Sequence, residues 1–310
     1  MVQLGVSLPQ FQHFNLQSDV VTAARDLEAI GFDSLWVFER ILVPADSSGV
    51  HGLYGVPDLP WLDAYRSVPD PLITLALAAA VTERIKLGTG VLVAGLHLPM
   101  RLARTLATLD AASGGRLIAG LGSGWSIDEF AASSPRPIAE RGKALDEFLD
   151  IAEAVWGPDP VSFSNDRYTI EPAVVGPKPA GRIPVLLAAG SDKALDRIAR
   201  RADGWLPTSI PPTQVASTMA RLREMAAGYG RDPGALSCTF QIVVSSLTPV
   251  PTVDRQPYTG SVEQVVEDIA TLAEAGADQI YVTVPMAVRD VKELIAVSAD
   301  LHSQVRAAGL

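Results

Sequence analysis

Eight short runs rich in β-branched and aliphatic residues alternate, without a break, with eight longer amphipathic runs. The strand-like runs cover 2–8, 34–38, 85–92, 117–121, 184–188, 204–206, 237–246 and 279–284. The helical runs cover 18–30, 71–81, 99–113, 139–156, 192–201, 213–229, 261–275 and 288–302. The first helix is expected to start on Ser18 as its N-cap and to stop at Gly31. Uninterrupted β/α alternation implies parallel strands, because each helix returns the chain to the same end of the sheet. Eight units in 310 residues suit a closed barrel better than an open sheet. No domain-scale linker interrupts the pattern. The expectation is an α/β fold, a single (β/α)8 TIM barrel over 1–310 with insertions at its C-terminal face. Residues 161–175 read as a small surface excursion and 247–258 as a Pro-rich loop.

Hydrophobic residues make up 48% of the chain, ample for a buried core at this length. The formal net charge is −10, and an acidic surface repels phosphate backbones, which argues against a nucleic-acid partner. An anionic ligand must then be held by local donors such as helix N-termini. Cys238 is the single cysteine. Neither an intramolecular disulfide nor a structural zinc site can form, as in a reducing cytoplasm. The first residues, MVQLGVSLPQ, lack a charged region followed by a long apolar one, so no signal peptide is read. The most apolar stretch, 71–81, is too short to span a bilayer. A cytoplasmic location with no membrane association is expected.

In such barrels the active site lies at the C-terminal strand ends. Ser7-Leu8-Pro9 ends the first strand, Glu39-Arg40 the second, and Gly88-Thr89-Gly90-Val91 lies in the third. Gly120-Leu121-Gly122-Ser123-Gly124-Trp125 ends the fourth and Ala188-Ala189-Gly190-Ser191 the fifth. A dinucleotide fingerprint would need glycine at Trp125, and no helix clearly opens there. The segment reads as a tight turn whose small residues let backbone amides approach a ligand. The fifth strand enters a helix, so free N–H groups and the Ser191 hydroxyl can face a phosphate, or Ser191 is an ordinary N-cap. A long stretch, 42–68, follows the second strand and carries His51, Tyr54, Trp61 and Tyr65. Loops of this length are usually functional or disordered, and the aromatics argue for order. They shape an apolar pocket, or they anchor the loop, or they serve a dimer contact. His13, His51 and His97 each read, singly, as surface histidines. Trp36, Trp156 and Trp205 read as structural, and Arg141 with Glu147 as a helix-surface salt bridge. No metal-ligand cluster, GxSxG motif or strand-end lysine is visible.

Six stretches carry a resemblance in consistent order: GFDSLWVFER (31–40), ERIKLGTGVL (83–92), RLARTLATLDAASGGRLIAGLGSGW (101–125), IAERGKALDEFL (138–149), VGPKP (175–179) and PVLLAAGSDKALDRIARRADGWLP (184–207). On these the chain resembles the luciferase-like monooxygenase superfamily, and within it the oxidoreductases that depend on the deazaflavin coenzyme F420. The resemblance implies a hydride-transferring enzyme with F420 as cofactor and FMN as the alternative. It implies a bulge in the third strand, often with a non-prolyl cis peptide, at Gly90-Val91, with Val91 as a wedge behind the ring. Its phosphate-contacting segments match Ser123-Gly124 and Gly190-Ser191, the latter beside Ala189. The first strand, with Pro9 and His13, and the loop bearing His51, Tyr54, Trp61 and Tyr65 would line a pocket for a small-molecule substrate. Relatives are commonly homodimers.

Many deazaflavin-dependent relatives carry Asp-His where this chain has Glu39-Arg40. An imidazole exchanges protons near neutral pH, whereas a guanidinium stays charged and cannot act as a base. Arg40 would then bind an anionic substrate or the pyrimidine edge of the reduced ring, with Glu39 orienting it or serving as an acid. Alternatively the two form a structural ion pair closing the barrel mouth. Three functions stay open: an F420-dependent hydride transferase, an FMN-dependent monooxygenase supplied by a separate reductase, and a non-catalytic flavin- or deazaflavin-binding protein.

Overall fold

The computed structural model describes residues 1–251, 253 and 255–310, so positions 252 and 254 of the expected Pro-rich loop lie outside the described residues. Its strands are β1 (Gln3–Ser7), β2 (Ser34–Val37), β3 (Lys86–Thr89), β4 (Leu92–Val93), β5 (Leu117–Gly122), β6 (Val161–Ser164), β7 (Thr169–Ala173), β8 (Val185–Leu187), β9 (Gly204–Trp205), β10 (Ser237–Val243) and β11 (Gln279–Thr283). β1 pairs in parallel with both β2 and β11, which closes the sheet on itself. The remaining neighbours, β2–β3–β5–β8–β9–β10–β11, are also parallel. β4 pairs only with β5 and continues β3 beyond a break. The break falls at Gly90-Val91, a cis peptide bond, where the family resemblance places one. β3 and β4 together make one barrel strand, and the architecture is a (β/α)8 TIM barrel.

The strand sequences explain which side chains face the axis. In β10 and β11, Thr239, Gln241, Gln279, Tyr281 and Thr283 alternate with Cys238, Phe240, Ile242, Ile280 and Val282. Side chains alternate across a strand with period two. The aliphatic set joins the main core between strands and helices. The other set fills the barrel. Gln279 Nε2 and Trp36 Nε1 both donate to Ser34 Oγ at 2.7 Å. Above them Trp36 stacks on Tyr281, with ring centroids 4.4 Å apart. Two aromatic rings fit inside the barrel because the facing strands carry glycine. A Cβ on Gly88 would overlap the Trp36 ring, and one on Gly90 would overlap the Tyr281 hydroxyl.

The helices are α1 (Ser18–Ile30), α2 (Pro71–Ala79), α3 (Pro99–Ser113), α4 (Ile127–Ser133), α5 (Arg141–Trp156), α6 (Asp192–Arg201), α7 (Pro212–Gly228), α8 (Val262–Glu274) and α9 (Val291–Ala307). Ser18 is not the cap of α1. Asn15 Oδ1 accepts from the Gln17 and Ser18 amides, at 3.0 and 2.9 Å, and so does the capping from outside the helix. α4 corrects the reading that no helix opens after Trp125. Ser126 caps it, accepting from the Glu129 amide at 3.3 Å. The 42–68 stretch is ordered into three short 3₁₀ turns, Gly49–His51, Leu53–Gly55 and Asp63–Arg66. Residues 161–175 form the β6–β7 hairpin, as expected of a surface excursion. Glu147 does not pair with Arg141. It is buried and takes two hydrogen bonds from Arg136, at 3.0 and 2.8 Å. Among the described residues no helix is long and apolar enough to cross a membrane.

Candidate active site

A cavity of about 810 Å³ opens at the C-terminal ends of the barrel strands. Two arcs of strand ends line it. The β3–β4, β5 and β8 arc supplies Gly90, Val91, Val93, Gly122, Ser123, Gly124, Trp125 and Ala188 to Gly190. Val91 lies directly over Gly122, where a Cβ would come within 2.7 Å of Val91 Cγ2. Gly124 has φ +78°, and a Cβ there would press on Val93 and Phe130. Small residues and an apolar shelf therefore go together on this arc.

The α6 N-terminus follows Gly190. Ser191 makes no side-chain cap to the helix, so its hydroxyl is not consumed as an ordinary N-cap. The Asp192 and Lys193 amides have no backbone acceptor among the described residues. Helix N-termini of this kind favour anions.

The opposite arc, from β9, β10, β11, β1 and β2, is more apolar and aromatic, with Phe11, Phe38, Tyr65, Val243 and Met286. Burial, first, and the nearby Tyr54 raise the Tyr65 phenol above its ordinary pKa, against the opposing charge of Arg40. Tyr65 therefore stays a neutral hydroxyl.

Glu39 and Arg40 both line the cavity, yet their side chains do not pair with each other. Each finds another partner instead. Glu39 Oε2 accepts from the Val93 amide at 2.7 Å, and Oε1 lies 2.7 Å from His97 Nε2. Burial alone would pull the His97 pKa down. The hydrogen bond and charge of Glu39, with the charge of Asp70, outweigh burial and raise it. His97 is therefore no free surface histidine but the hydrogen-bonded partner of Glu39. Arg40 Nε lies 3.1 Å from Glu129 Oε1, and the two side chains are 9% and 2% exposed. The guanidinium sits 4.7 Å from the Trp125 ring centroid and 5.4 Å from that of Trp61. Burial lifts the Glu129 pKa, against the pull of Arg40 and the Ile41 and Leu42 amides.

The sequence profile of the luciferase-like monooxygenase family matches residues 4–249. The chain belongs to this family. Luciferase-like proteins are oxidoreductases, and relatives of this chain include F420-dependent ones. An uncharacterized protein of Mycobacterium tuberculosis is 36% identical over 231 residues, covering 74% of this chain and 79% of its own. The F420-dependent glucose-6-phosphate dehydrogenase of Kineococcus radiotolerans is 29% identical over 222 residues, 70% of this chain and 61% of the relative. Among solved structures, an F420-dependent secondary alcohol dehydrogenase in complex with an F420-acetone adduct superposes with a TM-score of 0.77 at 18% identity, over 98% and 99% of the two chains. Monooxygenase RslO1 from Streptomyces bottropensis superposes with the same score and identity, over 99% and 100%. At such identities the structures show the luciferase-like fold alone.

Within this luciferase-like barrel, the residues singled out from sequence divide into two groups. Glu39, Arg40, Gly90, Val91, Ser123, Gly124, Ala189, Gly190, Tyr54 and Tyr65 line one cavity. Ser191, Pro9, His13, His51 and Trp61 are not among its lining residues. Ser191 is exposed and Pro9 buried. His13 is exposed and packs on Phe14, with ring centroids 4.0 Å apart. His51 Nδ1 bonds Asp128 at 3.0 Å, and its carbonyl accepts from Trp61 Nε1 at 2.8 Å. His51 thereby fastens the long loop to α4, and Trp61 braces His51 from within the loop. Trp205, read as structural, also lines the cavity while donating to the Ala189 carbonyl at 3.1 Å. Sequence reasoning missed Trp125, Gln241, Thr283 and the partners Glu129 and His97. The S-I-D-E string at 126–129 is a capping-box signature that would have revealed α4 and hence Glu129.

Proposed function

We propose that this chain is an F420-dependent oxidoreductase that transfers a hydride between the deazaflavin and a small organic substrate. The observation that carries the reading is the gathering of Gly90-Val91, Ser123-Gly124 and Ala189-Gly190 on one arc of a single cavity. F420 dependence in the name of a relative 29% identical to this chain supports it further. The residues fit such a cofactor. Val91 over Gly122 offers an apolar shelf for a planar ring, and Gly124 leaves room where a Cβ would not fit. The open α6 N-terminus suits a phosphate. The cavity is also of the roughly 300–1,000 Å³ size that small-molecule sites have.

When bound, F420 supplies a ring carbon that accepts or releases a hydride. The protein would orient the reactants and exclude water. Val91 and Gly122 would back the ring, and Phe11, Phe38 and Tyr65 would keep the opposite side dry. The proton that accompanies hydride transfer would be held between Glu39 Oε1 and His97 Nε2, 2.7 Å apart. Arg40, fixed by Glu129 and two tryptophans, would position the wall rather than exchange a proton.

Fluorescence titration of the purified protein with F420, and separately with reduced FMN, tests this. Submicromolar F420 binding with negligible FMN binding is expected. Tight binding of reduced FMN alone would move the reading to a monooxygenase, and binding of neither would overturn it. F420 binding without turnover on a broad panel of enones and alcohols would favour a carrier. Val91→Gly should weaken F420 binding roughly tenfold, the loss expected when a buried valine contact is deleted. Its melting temperature should stay near that of the parent, because Val91 is only half-buried beside the cavity. Unaltered affinity would remove Val91 from the cofactor wall.

A further inference from the structure

Across the barrel from the glycine-rich arc, three adjacent strands bring polar side chains within hydrogen-bonding distance of one another. Around the ring β10 stands opposite β3–β4, β11 opposite β5, and β1 opposite β8. Ser7 Oγ on β1 and Thr283 Oγ1 on β11 lie 2.8 Å apart. Gln241 Nε2 on β10 donates to Thr283 Oγ1 at 3.1 Å. Ser7 and Thr283 are buried, at 7% and 5% exposure, and Gln241 and Thr283 line the cavity. Tyr281 of the Trp36–Tyr281 stack precedes Thr283 by two residues on β11, so the trio borders the floor of the cavity.

The trio has hydrogen-bonding capacity left over. Two hydroxyl protons serve one hydroxyl–hydroxyl bond, so one proton lacks an acceptor among the described residues. Gln241 Oε1 and its second Nε2 proton also lack partners among them. Buried polar groups are normally satisfied, and the open direction here is the cavity. No net charge accompanies this capacity. Among the described residues, Glu39 and Arg40 are the only charged ones in the cavity wall, and each is already matched, by His97 and by Glu129. A phosphate dianion would therefore find no uncommitted cation at this wall.

We infer that the substrate is a neutral, mostly apolar molecule that presents one carbonyl or hydroxyl oxygen to the Ser7–Thr283–Gln241 trio. Thr283 and Gln241 determine specificity by binding that oxygen. The inference rests on the oxidoreductase reading for what happens to the carbon bearing the oxygen, while binding itself needs no cofactor. Glucose 6-phosphate, named in the activity of several relatives, is on this inference not expected to bind at the trio.

Ligand-observed saturation-transfer NMR on the full chain tests this, with 2-cyclohexenone, cyclohexanol and glucose 6-phosphate as probes and F420 fluorescence titrated on the same samples. The expected result is binding of both neutral probes and none of glucose 6-phosphate. Thr283→Val keeps the side-chain shape and should weaken the neutral probes about tenfold, as loss of a buried hydrogen bond does. Gln241→Leu, the second variant, should weaken them similarly, with F420 affinity unchanged in both. Binding of glucose 6-phosphate, failure of both neutral probes, or neutral-probe affinity untouched by both substitutions would overturn the inference. A protein that binds the neutral probes through Thr283 but leaves F420 fluorescence unaltered would overturn the cofactor reading instead.

Discussion

Replacing Glu39 by glutamine is expected to lower turnover in the proposed F420-linked reaction about 100-fold, the lower range for loss of a positioned proton-exchanging group, while F420 affinity should stay the same. The physical reason is the number of acceptors. Glu39 offers one carboxylate oxygen to the Val93 amide and the other to His97 Nε2. A glutamine has a single carbonyl oxygen and sets an NH2 group against one of those two donors. Stability should report the same change without any substrate. His97 has a folded pKa above 6.5, its ordinary value, chiefly because Glu39 outweighs the effect of burial. A raised imidazole contributes stability that is complete below the unfolded pKa and is lost as pH rises through the folded one. The melting temperature of the parent should therefore decline from pH 6.5 upward, relative to His97→Asn. Glu39→Gln should flatten that decline. Parent-like turnover together with a parent-like pH dependence would take Glu39 out of the proton path.

Much of this arrangement was legible in the chain because it rests on local patterns. Alternating runs gave the barrel, and the small-residue strings at 88–91, 120–125 and 188–191 marked three strand ends that do converge. The partners of Glu39 and Arg40 were not legible, since they come from 58 and 89 residues downstream of the carboxylate and the guanidinium, at His97 and Glu129. The Glu39–Arg40 ion pair left open from the sequence does not form, because each side chain is taken by its distant partner. The polar floor was hidden for a different reason. Ser7, Gln241 and Thr283 are scattered polar residues in three strands far apart in sequence, and only barrel closure brings β1, β10 and β11 together. His51 and Trp61 sit in the loop where a pocket wall was expected. They bond to α4 and to each other instead, so the loop spends part of its aromatic surface on anchoring itself.

Arg40→Ala should destabilise the fold by about 3 kcal/mol, the scale for breaking a buried ion pair by removing one partner. The substitution removes a cation held against two tryptophan faces and leaves Glu129, 2% exposed, without its countercharge. Glu129 Oε1 also accepts from the Ile41 amide at 2.7 Å, so the start of the long loop loosens with it. The pH dependence follows from Glu129. Its pKa is already raised by burial against the pull of Arg40, and without Arg40 it rises further. A carboxyl that binds its proton more tightly when folded loses stability as pH rises. The deficit of Arg40→Ala should therefore be greatest at neutral and alkaline pH and shrink towards pH 5. Adding Glu129→Gln should recover about half of it, because the amide oxygen still accepts from Ile41 and no buried charge remains. Differential scanning calorimetry across pH separates this from a ligand-binding role. A variant with parent-like melting but abolished turnover would show that Arg40 acts on the substrate, and the cage of Trp61, Trp125 and Glu129 would then be the support for a binding group.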